Sequence, residues 1–505
     1  MPDGAPVPAG TRLVPDPGAR LLAGGSVLAG GSPVRVLRLT AAGARQVAGW
    51  LAGVPVPSAP AARSLARRLL DAGIAHPDAA AFPADGLPGP ADVTVIIPVR
   101  DRHAELDRCL AGLGGLPHVT VVDDASAEPA AIKAIAAARG ADVISRPVNG
   151  GPGSARNSGL RAARTEFVAF LDSDCVPRPG WLEGLLPHFA DPAVGAVAPR
   201  IVPFQTGSGW LARYEGASST LDRGARPSVV RPGARVSYVP GAALVVRRGA
   251  AGDGFRDGMQ VGEDVDFVWR LAAAGWSVRY EPRAVMGHDH RVTFRAWFSR
   301  RADYGTSAAV LEELHPGAVR PLYVSWWTVA AWAAALSGRP VTAAAAVGTA
   351  TALLARRLSA VTGERWPVPA AQREPEVRRQ PGSPAEPRPA AVRRQAAAWR
   401  LALRLAAGGT LAAGRPLGSA LSRTWWPVAI PAALALPKLR LPVAALILVP
   451  PLLDWADRKP PLDPVRYTAA RLLDDAAYSI GVWQGCLARR TLRPLMPRIG
   501  RRPPV

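Results

Sequence analysis

The chain has 505 residues, a formal net charge of +22 and a hydrophobic fraction of 49%, which excludes a disordered protein and predicts two or three domains. Its three cysteines, Cys109, Cys175 and Cys486, lack the spacing of a metal site or a disulfide framework, so a reducing compartment is favoured over secretion. Met1 to Gly10 lacks a basic and then apolar order, and no signal peptide is expected.

The positive charge is concentrated in the last third of the chain. Residues 1–92 contain 8 basic and 6 acidic side chains, residues 93–315 contain 26 and 24, and residues 316–505 contain 27 and 9. Because binding to nucleic acid requires a basic face on a folded module, the balanced charge of the first two regions argues against it. The basic last third lacks a basic folded module with interleaved aromatics, so nucleic acid is not expected as a partner.

Residues 1–81 are predicted to form a small winged-helix-like module. Residues 11–40 alternate apolar and polar positions around pairs of glycines, as short strands do. Thr40 is placed to cap a first helix, and a second is predicted from Ala61 to Ala72. Such a module binds DNA, binds a peptide along a strand edge, or packs on its neighbour. Residues 82–92, rich in proline and glycine, are predicted to be a linker.

Strands and helices alternate with short connections between Val93 and Leu171, which predicts an α/β fold with a doubly wound, mainly parallel sheet. The predicted strands are 93–99, 119–126, 142–145 and 167–171, and the predicted helices are 105–113, 130–139 and 158–163, with 149–157 as a loop. Ligands of such folds bind beyond the carboxyl ends of the strands. Asp123, Asp124, Asp172 and Asp174 all follow or end predicted strands there.

Asp172 and Asp174 are the centre of the predicted site. Side chains at i and i+2 of an extended strand share a face, so both carboxylates are expected to approach one ligand, a divalent cation that bridges phosphate oxygens. A carboxylate about 5 Å from a phosphate costs roughly 3 kcal/mol at an effective dielectric near 20. This interpretation therefore requires Mg²⁺ or Mn²⁺ as a cofactor.

Four motifs, in this order and spacing, resemble the nucleotide-sugar half of family 2 glycosyltransferases of the GT-A fold. They are Ile97-Pro-Val-Arg100, Val122-Asp-Asp-Ala-Ser126, Asn149-Gly-Gly-Pro-Gly-Ser-Ala-Arg-Asn157 and Leu171-Asp-Ser-Asp174. The resemblance implies that Pro98 and Arg100 border the nucleoside and that Asp123 or Asp124 hydrogen-bonds the base. It further implies that Asp172 approaches the ribose or sugar and Asp174 holds the metal. Arg156 either contributes charge to the diphosphate or is a surface arginine.

The acceptor half of the site is predicted at Glu263 and Asp264, which begin a helix. In the glycosyltransferases that the chain resembles, this acidic pair supplies the base that deprotonates the acceptor hydroxyl, a role carried here onto Asp264 with Glu263 beside it. These acids also suit a helix N-terminus through its dipole. His288 is the resemblance's second candidate metal ligand, with a structural histidine as the alternative.

Thr293-Phe-Arg-Ala-Trp-Phe-Ser-Arg-Arg301 stands where processive polysaccharide synthases of this fold carry a Gln-x-x-Arg-Trp element. This departure disfavours extrusion of a long chain across a membrane. Trp297 either stacks on an acceptor sugar or anchors a helix, and Arg300 or Arg301 is a candidate contact of the leaving diphosphate.

Residues 316–505 are predicted to be helical, basic and associated with the cytoplasmic face of the membrane. The uncharged runs 322–338 and 341–355 are shorter than the roughly 20 residues of a full span, so a shallow hairpin or an interfacial pair is expected. The apolar runs 425–437 and 441–453 follow a loop, 363–395, that is predicted to be disordered. The alternative is an alanine-rich extension packed on the catalytic domain.

Nearly the whole chain resembles the glycosyltransferases of the mycofactocin system. The resemblance rests on the N-terminal module, the transferase-like centre and the segment Leu472-Leu-Asp-Asp-Ala-Ala-Tyr-Ser-Ile-Gly-Val-Trp483. The resemblance implies transfer of β-1,4-linked glucose from UDP-glucose, with inversion, to a redox cofactor derived from a peptide. It also implies precursor-peptide recognition by residues 11–78. A cell-envelope glycan or lipid acceptor, and a non-catalytic adaptor for peptide or DNA, are the alternatives.

Overall fold

The computed structural model describes residues 5–22, 25–82, 86–204, 207–289, 293–363, 396 and 398–500. The chain divides into two compact units. The first comprises residues up to Val319 together with Pro451–Pro494, and the second comprises Arg320–Pro450 with Leu495–Pro503. The predicted boundary at residue 316 therefore lies close to one division, but residues 451–494 belong to the first unit. Apart from Gly363, the predicted disordered loop 363–395 lies outside the described residues.

A nine-stranded mixed sheet forms the centre of the first unit, and its α/β architecture confirms the predicted fold class. Its strands are β6 (Val93–Val99), β7 (Val119–Asp124), β8 (Asp142–Arg146), β9 (Phe167–Leu171), β10 (Cys175–Pro177), β11 (Val194–Pro203), β12 (Ser228–Val229), β13 (Ala243–Arg247) and β14 (Ser277–His288). Their order is β10-β14-β11-β13-β9-β6-β7-β8, and β12 pairs with β14. Strands β8, β7, β6 and β9 are parallel, and β13 is antiparallel to both of its neighbours.

Helices cover both faces of this sheet because each buried strand is apolar on both sides. The helices of the first unit up to residue 319 are α1 (Ala41–Leu51), α2 (Pro60–Asp71), α3 (His103–Gly112), α4 (Pro129–Ala138), α5 (Gly151–Ala162), α6 (Trp181–Leu185), α7 (Trp210–Ser218), α8 (Glu263–Ala273) and α9 (Phe294–Leu314). Val95 and Ile97 face the core shared with α3, α4 and α6. Ile96 faces the core shared with α5, α8 and α9.

Helix α5 begins seven residues earlier than the sequence predicts, because the segment 151–157 is helical rather than a loop. Gly151, at φ +84°, makes the turn into the helix, and Pro152 suits a first helical turn, where its missing N–H is not needed. Gly159 lets α5 lie directly on β6, since a Cβ there would come within 2.4 Å of Ile96. Small residues that resemble a loop in sequence thus serve close packing of a helix on the sheet.

The N-terminal module contains strands β1 (Leu13–Pro15), β2 (Arg20–Leu22), β3 (Val27–Gly30), β4 (Arg35–Arg38) and β5 (Ala75–Pro77) besides α1 and α2. Thr40 caps α1 as predicted, its Oγ1 accepting the Gly43 N–H at 3.1 Å. The module packs on the part of the same unit that contains the central sheet. Arg67 donates to both oxygens of the buried Asp191 at 2.6 and 2.7 Å, so packing on a neighbour, one predicted alternative, does occur.

The helix Pro464–Ala488 packs tightly against α9. Three glycines allow the close approach: a Cβ on Gly481 would lie 1.8 Å from the Ala302 carbonyl oxygen, and Gly305 and Gly485 have similarly close contacts. Buried polar groups add to the contact, as Arg301 Nε lies 2.9 Å from an oxygen of Asp474. This helix therefore belongs to the same packed structure as the central sheet.

The second unit is helical, as predicted. Its helices include Trp326–Leu336, Pro340–Gly363, Gly409–Ala412, Gly414–Ala420 and Trp426–Ala435, and the helix Pro437–Arg458 runs beyond it. Within the described residues, Pro437–Arg458 has the length and apolar composition needed to cross a membrane. This helix of 22 residues begins at Pro437 and so includes Lys438 and Arg440, the two basic residues between the predicted apolar runs 425–437 and 441–453.

Candidate active site

Most of the predicted site residues converge on one edge of the central sheet, whereas Trp297 and Arg301 lie in a separate buried cluster. Strands β6, β7 and β9 are parallel neighbours, so the segments that follow them meet at the same edge, where doubly wound sheets bind ligands. His288 ends β14, which runs in the same direction as β9. Gly241 precedes the antiparallel β13 and donates its N–H to Asp264 at 2.8 Å. This contact places the start of α8 at that edge.

Asp174 and His288 form the candidate metal centre. His288 Nε2 lies 3.5 Å from Asp174 Oδ1, and both side chains are about one-sixth exposed. Arg102 donates to the other carboxylate oxygen of Asp174. Burial acts to raise the pKa of Asp174, but His288 and Arg102 outweigh it, so this pKa lies below its usual range. The Asp174 carboxylate is thus an anion that already attracts cations.

Cys175 also lies at this centre, and the sequence interpretation did not include it. Ligand atoms of Asp174, Cys175 and His288 lie within 4.8 Å of one another, because Cys175 pairs with His288 across β10 and β14. The Cys175 thiol points to the Ala242 carbonyl at 3.4 Å, and burial raises its pKa well above the ordinary value. A protonated thiol is a poor ligand for a hard cation.

Asp172 has different neighbours from Asp174, because β9 ends at Leu171 and the two acids lie in a turn. The extended-strand argument for their orientation is therefore wrong. Arg156 Nη2 donates to Asp172 at 2.6 Å, and its Nη1 donates to Glu263 at 3.0 Å. Arg156 is only 2% exposed, so the predicted alternative of a surface arginine is also wrong.

Glu263 and Asp264 differ in environment although they are neighbours on α8. Burial, followed by repulsion from Asp264, raises the pKa of Glu263 to about 7 against the opposing effect of Arg156. Asp264 is half-buried, and its Oδ2 accepts the Gly241 N–H. Because the Asp264 carboxylate is the more accessible of the two, it is the one better placed to reach a substrate.

Asp123 and Asp124 end β7 and are both buried. Asp124 holds the start of α5: its oxygens accept the N–H groups of Gly150 at 3.1 Å and Gly151 at 2.8 Å, and Arg146 donates to it as well. Asp123 Oδ1 accepts the Ser126 N–H at 3.0 Å. Because Asp124 already accepts hydrogen bonds from the backbone that begins α5, Asp123 is the stronger candidate for a hydrogen bond to a nucleobase.

Pro98 and Arg100 lie beside this pair at the end of β6. Pro98 is half-buried, and Arg100 is exposed with its guanidinium 3.5 Å from Asp101. Both are accessible from the edge of the sheet, as a nucleoside contact requires.

Trp297 and Arg301 are buried, at 2% and 5% exposure. Trp297 donates its indole N–H to Glu215 at 2.8 Å, and Arg301 binds the same carboxylate. With no exposed ring face, Trp297 acts as the helix anchor that the sequence left as an alternative to sugar stacking. The predicted diphosphate contact of Arg301 is likewise replaced by a buried ion pair.

Arg300 remains a candidate for substrate contact. It is half-buried, and its guanidinium carbon lies 4.7 Å from the ring centre of Tyr304. Burial acts to lower the pKa of Arg300, but Tyr304 above all, with smaller contributions from Asp303 and Glu263, raises it overall.

Sequence reasoning missed four features of the site: Arg102, Cys175, Gly241 and the burial of Arg156. A weak signal existed for Arg102, which follows a predicted strand end by three residues. No signal existed for the pairing of Arg156 with Glu263, because the two residues are 107 positions apart along the chain.

Comparison with known proteins identifies the family. The model of glycosyl transferase family 2 matches residues 94–251. A pre-mycofactocin glycosyltransferase from Mycobacterium tuberculosis is 40% identical over 511 residues, covering 99% of this chain and 98% of the relative.

Among solved structures, a mannosyltransferase from Pyrobaculum calidifontis, in complex with GDP-Man and Mn²⁺, is 22% identical with a TM-score of 0.36. It covers 65% of this chain and 90% of its own. A glucosyl-3-phosphoglycerate synthase from M. tuberculosis, in complex with Mn²⁺ and UDP-glucose, is 20% identical with a TM-score of 0.34, covering 44% of this chain and 79% of its own. The near full-length relative confirms the predicted resemblance: this chain is a family 2 glycosyltransferase of GT-A fold and belongs to the family of the pre-mycofactocin glycosyltransferases.

Proposed function

We propose that this glycosyltransferase transfers glucose from UDP-glucose, with inversion and dependence on a divalent cation, to a peptide-derived mycofactocin acceptor. One observation carries the proposal: Asp172, Asp174 and His288 share a sheet edge with the accessible carboxylate of Asp264. Such an arrangement offers a cation centre for the donor and a base for the acceptor. The name of the 40% identical relative supports the acceptor class.

Asp174 and His288 fit a hexacoordinate Mg²⁺ or Mn²⁺. Neighbouring ligands at about 2.1 Å from an octahedral ion are roughly 3 Å apart, close to the 3.5 Å that separates His288 Nε2 from Asp174 Oδ1. When bound, the cation would neutralise charge on the donor diphosphate. Arg102, which contacts Asp174, supplies a further positive charge to the same place.

Asp264 is the proposed general base. Its Oδ2 is oriented by the Gly241 N–H, and a Cβ at position 241 would crowd Asp264 Cβ at 3.0 Å, so glycine permits this approach. The carboxylate accepts the proton of the acceptor hydroxyl as that oxygen attacks the anomeric carbon. The bond to the diphosphate oxygen breaks on the opposite side, which inverts the configuration.

The proposed donor contacts are Pro98, Arg100, Asp123 and Asp172. Pro98 and Arg100 border the nucleoside from the end of β6, and Asp123 hydrogen-bonds the base. Asp172, whose side chain is 31% exposed, accepts from a hydroxyl of the ribose or sugar.

Arg300 is the proposed contact on α9 for the leaving diphosphate. The sequence predicts this contact for Arg300 or Arg301. Arg300 is half-buried, whereas Arg301 is buried and paired with Glu215.

We extend the proposal to two binding surfaces. Residues 11–78 are proposed to bind the precursor peptide, because the exposed strand β4 forms an edge of the three-stranded sheet β2-β3-β4 and can accept a further strand. The apolar helices of the second unit are proposed to lie on the cytoplasmic face of the membrane. Leu434 and Leu441 are 68% and 83% exposed, and Lys438 and Arg440 lie between them, ready to meet anionic lipid.

Turnover of UDP-glucose by the purified protein tests the central proposal. Release of UDP and formation of a glucosylated product are measured with Mn²⁺ or Mg²⁺, with and without a mycofactocin-type aglycone, beside Asp174→Ala and Asp264→Asn. Asp264→Asn should lower turnover by about 10²–10⁴ and leave the affinity for UDP nearly unchanged. Asp174→Ala should abolish Mn²⁺ binding in a titration without substrate.

Three outcomes would contradict parts of the proposal. Binding of UDP-glucose with no transfer to the aglycone would remove the acceptor assignment and leave the donor site intact. Absence of any UDP-sugar binding with metal present would refute the donor site. Sedimentation of the protein equally with anionic and with zwitterionic vesicles, or with neither, would refute the electrostatic membrane contact.

A further inference from the structure

Arg156 is a deeply buried cation at the site, 2% exposed, and it contacts both halves of the site. Its two terminal nitrogens donate to Asp172, after the donor strand β9, and to Glu263, at the start of the acceptor helix α8. The guanidinium also lies 5.2 Å from the ring centre of Phe255. Arg156 Nε is buried without a hydrogen-bond partner among the described residues.

This geometry leaves Arg156 little capacity for a direct diphosphate contact. Asp172 and Glu263 occupy one hydrogen of each terminal nitrogen, and only 2% of the residue is exposed. Gly241 lies against the same guanidinium, since a Cβ there would be 3.4 Å from Arg156 Cζ. A phosphate would have to displace one of these neighbours to reach the cation.

We infer that Arg156 is a positioning residue that couples the donor carboxylate Asp172 to the acceptor helix through Glu263, and that it does not bind the diphosphate. The inference rests on the proposed function for its catalytic meaning. Arg156 is the counter-ion that allows three acids, Asp172, Glu263 and Asp264, to lie together. Without it, their repulsion would push α8 and the turn after β9 apart and misplace Asp264 relative to the donor.

The planar fork of arginine is needed for this role because the two acceptors lie on different elements. A lysine has one ammonium on a flexible stem and offers no such fork, so Arg156→Lys should satisfy one carboxylate at a time. Glu263→Gln, in contrast, removes one negative charge and retains an oxygen that can accept a hydrogen bond. Loss of Arg156 should therefore be less harmful when Glu263 is neutral.

The test compares Arg156→Lys, Arg156→Gln and the double variant Arg156→Gln/Glu263→Gln in three measurements. Arg156→Gln should lower kcat about 100-fold, as expected for a misplaced catalytic group, while the Kd of UDP with Mn²⁺ changes less than threefold. The kcat of the double variant should be at least tenfold higher than that of Arg156→Gln. It should also unfold at a higher urea concentration than Arg156→Gln, and Arg156→Lys should lie between Arg156→Gln and the unmodified enzyme.

Arg139→Gln is the matched control, since Arg139 forms an exposed ion pair with Asp107, and it should change neither kcat nor Kd. A tenfold or larger rise in the Kd of UDP with unchanged kcat in Arg156→Gln would make Arg156 a diphosphate ligand and overturn the inference. Equal urea midpoints for Arg156→Gln and the double variant would refute the coupling, even if the enzyme proves to use another substrate. Absence of UDP binding by the unmodified enzyme would instead refute the proposed donor.

Discussion

Glu263→Gln should stabilise the folded protein at alkaline pH. The carboxyl group has a pKa of about 7 in the folded protein against an ordinary 4.5, so its ionised form is disfavoured by folding. The stability associated with the protonated form is fully present below pH 4.5 and is lost as the pH rises to about 7. A difference of about 2.5 units corresponds to about 3 kcal/mol in free energy of unfolding.

At pH 8 the neutral glutamine variant should therefore be more stable by up to about 3 kcal/mol, and near pH 5 the difference should be small. Urea unfolding of both proteins at pH 5, 6, 7 and 8, without ligands, measures this directly. Glu183→Gln is the matched control because Glu183 is exposed on α6. A destabilised Glu263→Gln at pH 8, or a difference that does not vary with pH, would refute the electrostatic account of this pair.

Three further predictions concern residues around the site. Gly481→Ala should lower the free energy of unfolding in urea by more than about 3 kcal/mol, because the added Cβ would lie 1.8 Å from the Ala302 carbonyl oxygen. Gly409→Ala is the control and should cause no such loss, because a Cβ there meets nothing within 4 Å. Trp297→Phe should lower stability by about 1–3 kcal/mol, since Glu215 loses a buried donor, while KM for the acceptor is unchanged; a selective rise in that KM would restore the sugar-stacking role. Asp124→Asn should raise KM for the donor and lower the melting temperature, because the N–H groups that begin α5 lose their anionic acceptor; an unchanged KM would separate this turn from donor binding.

The order of strands and helices from Val93 to Leu171 was predictable because it depends on local patterns. Apolar strands of β-branched residues, such as Val93–Val99 and Phe167–Leu171, are recognisable without any partner, and short connections between strands and helices imply parallel pairing. Their acidic ends, Asp123–Asp124 and Asp172, then fall at one edge of the sheet by topology alone. The family resemblance rested on the same local motifs, and comparison confirmed it.

Only the tertiary structure decided the contacts between distant segments of the chain. The ion pairs of Arg156 with Glu263, of Arg301 with Asp474, and of Arg67 with Asp191 join residues more than 100 positions apart, and no periodicity encodes them. The same applies to the burial of Trp297. Local sequence determines which face of an element is apolar, but whether a polar side chain on another face meets solvent, substrate or a buried partner depends on what packs against it. The sequence therefore identified candidate acids at the ends of the strands, whereas tertiary packing assigned their counter-ions.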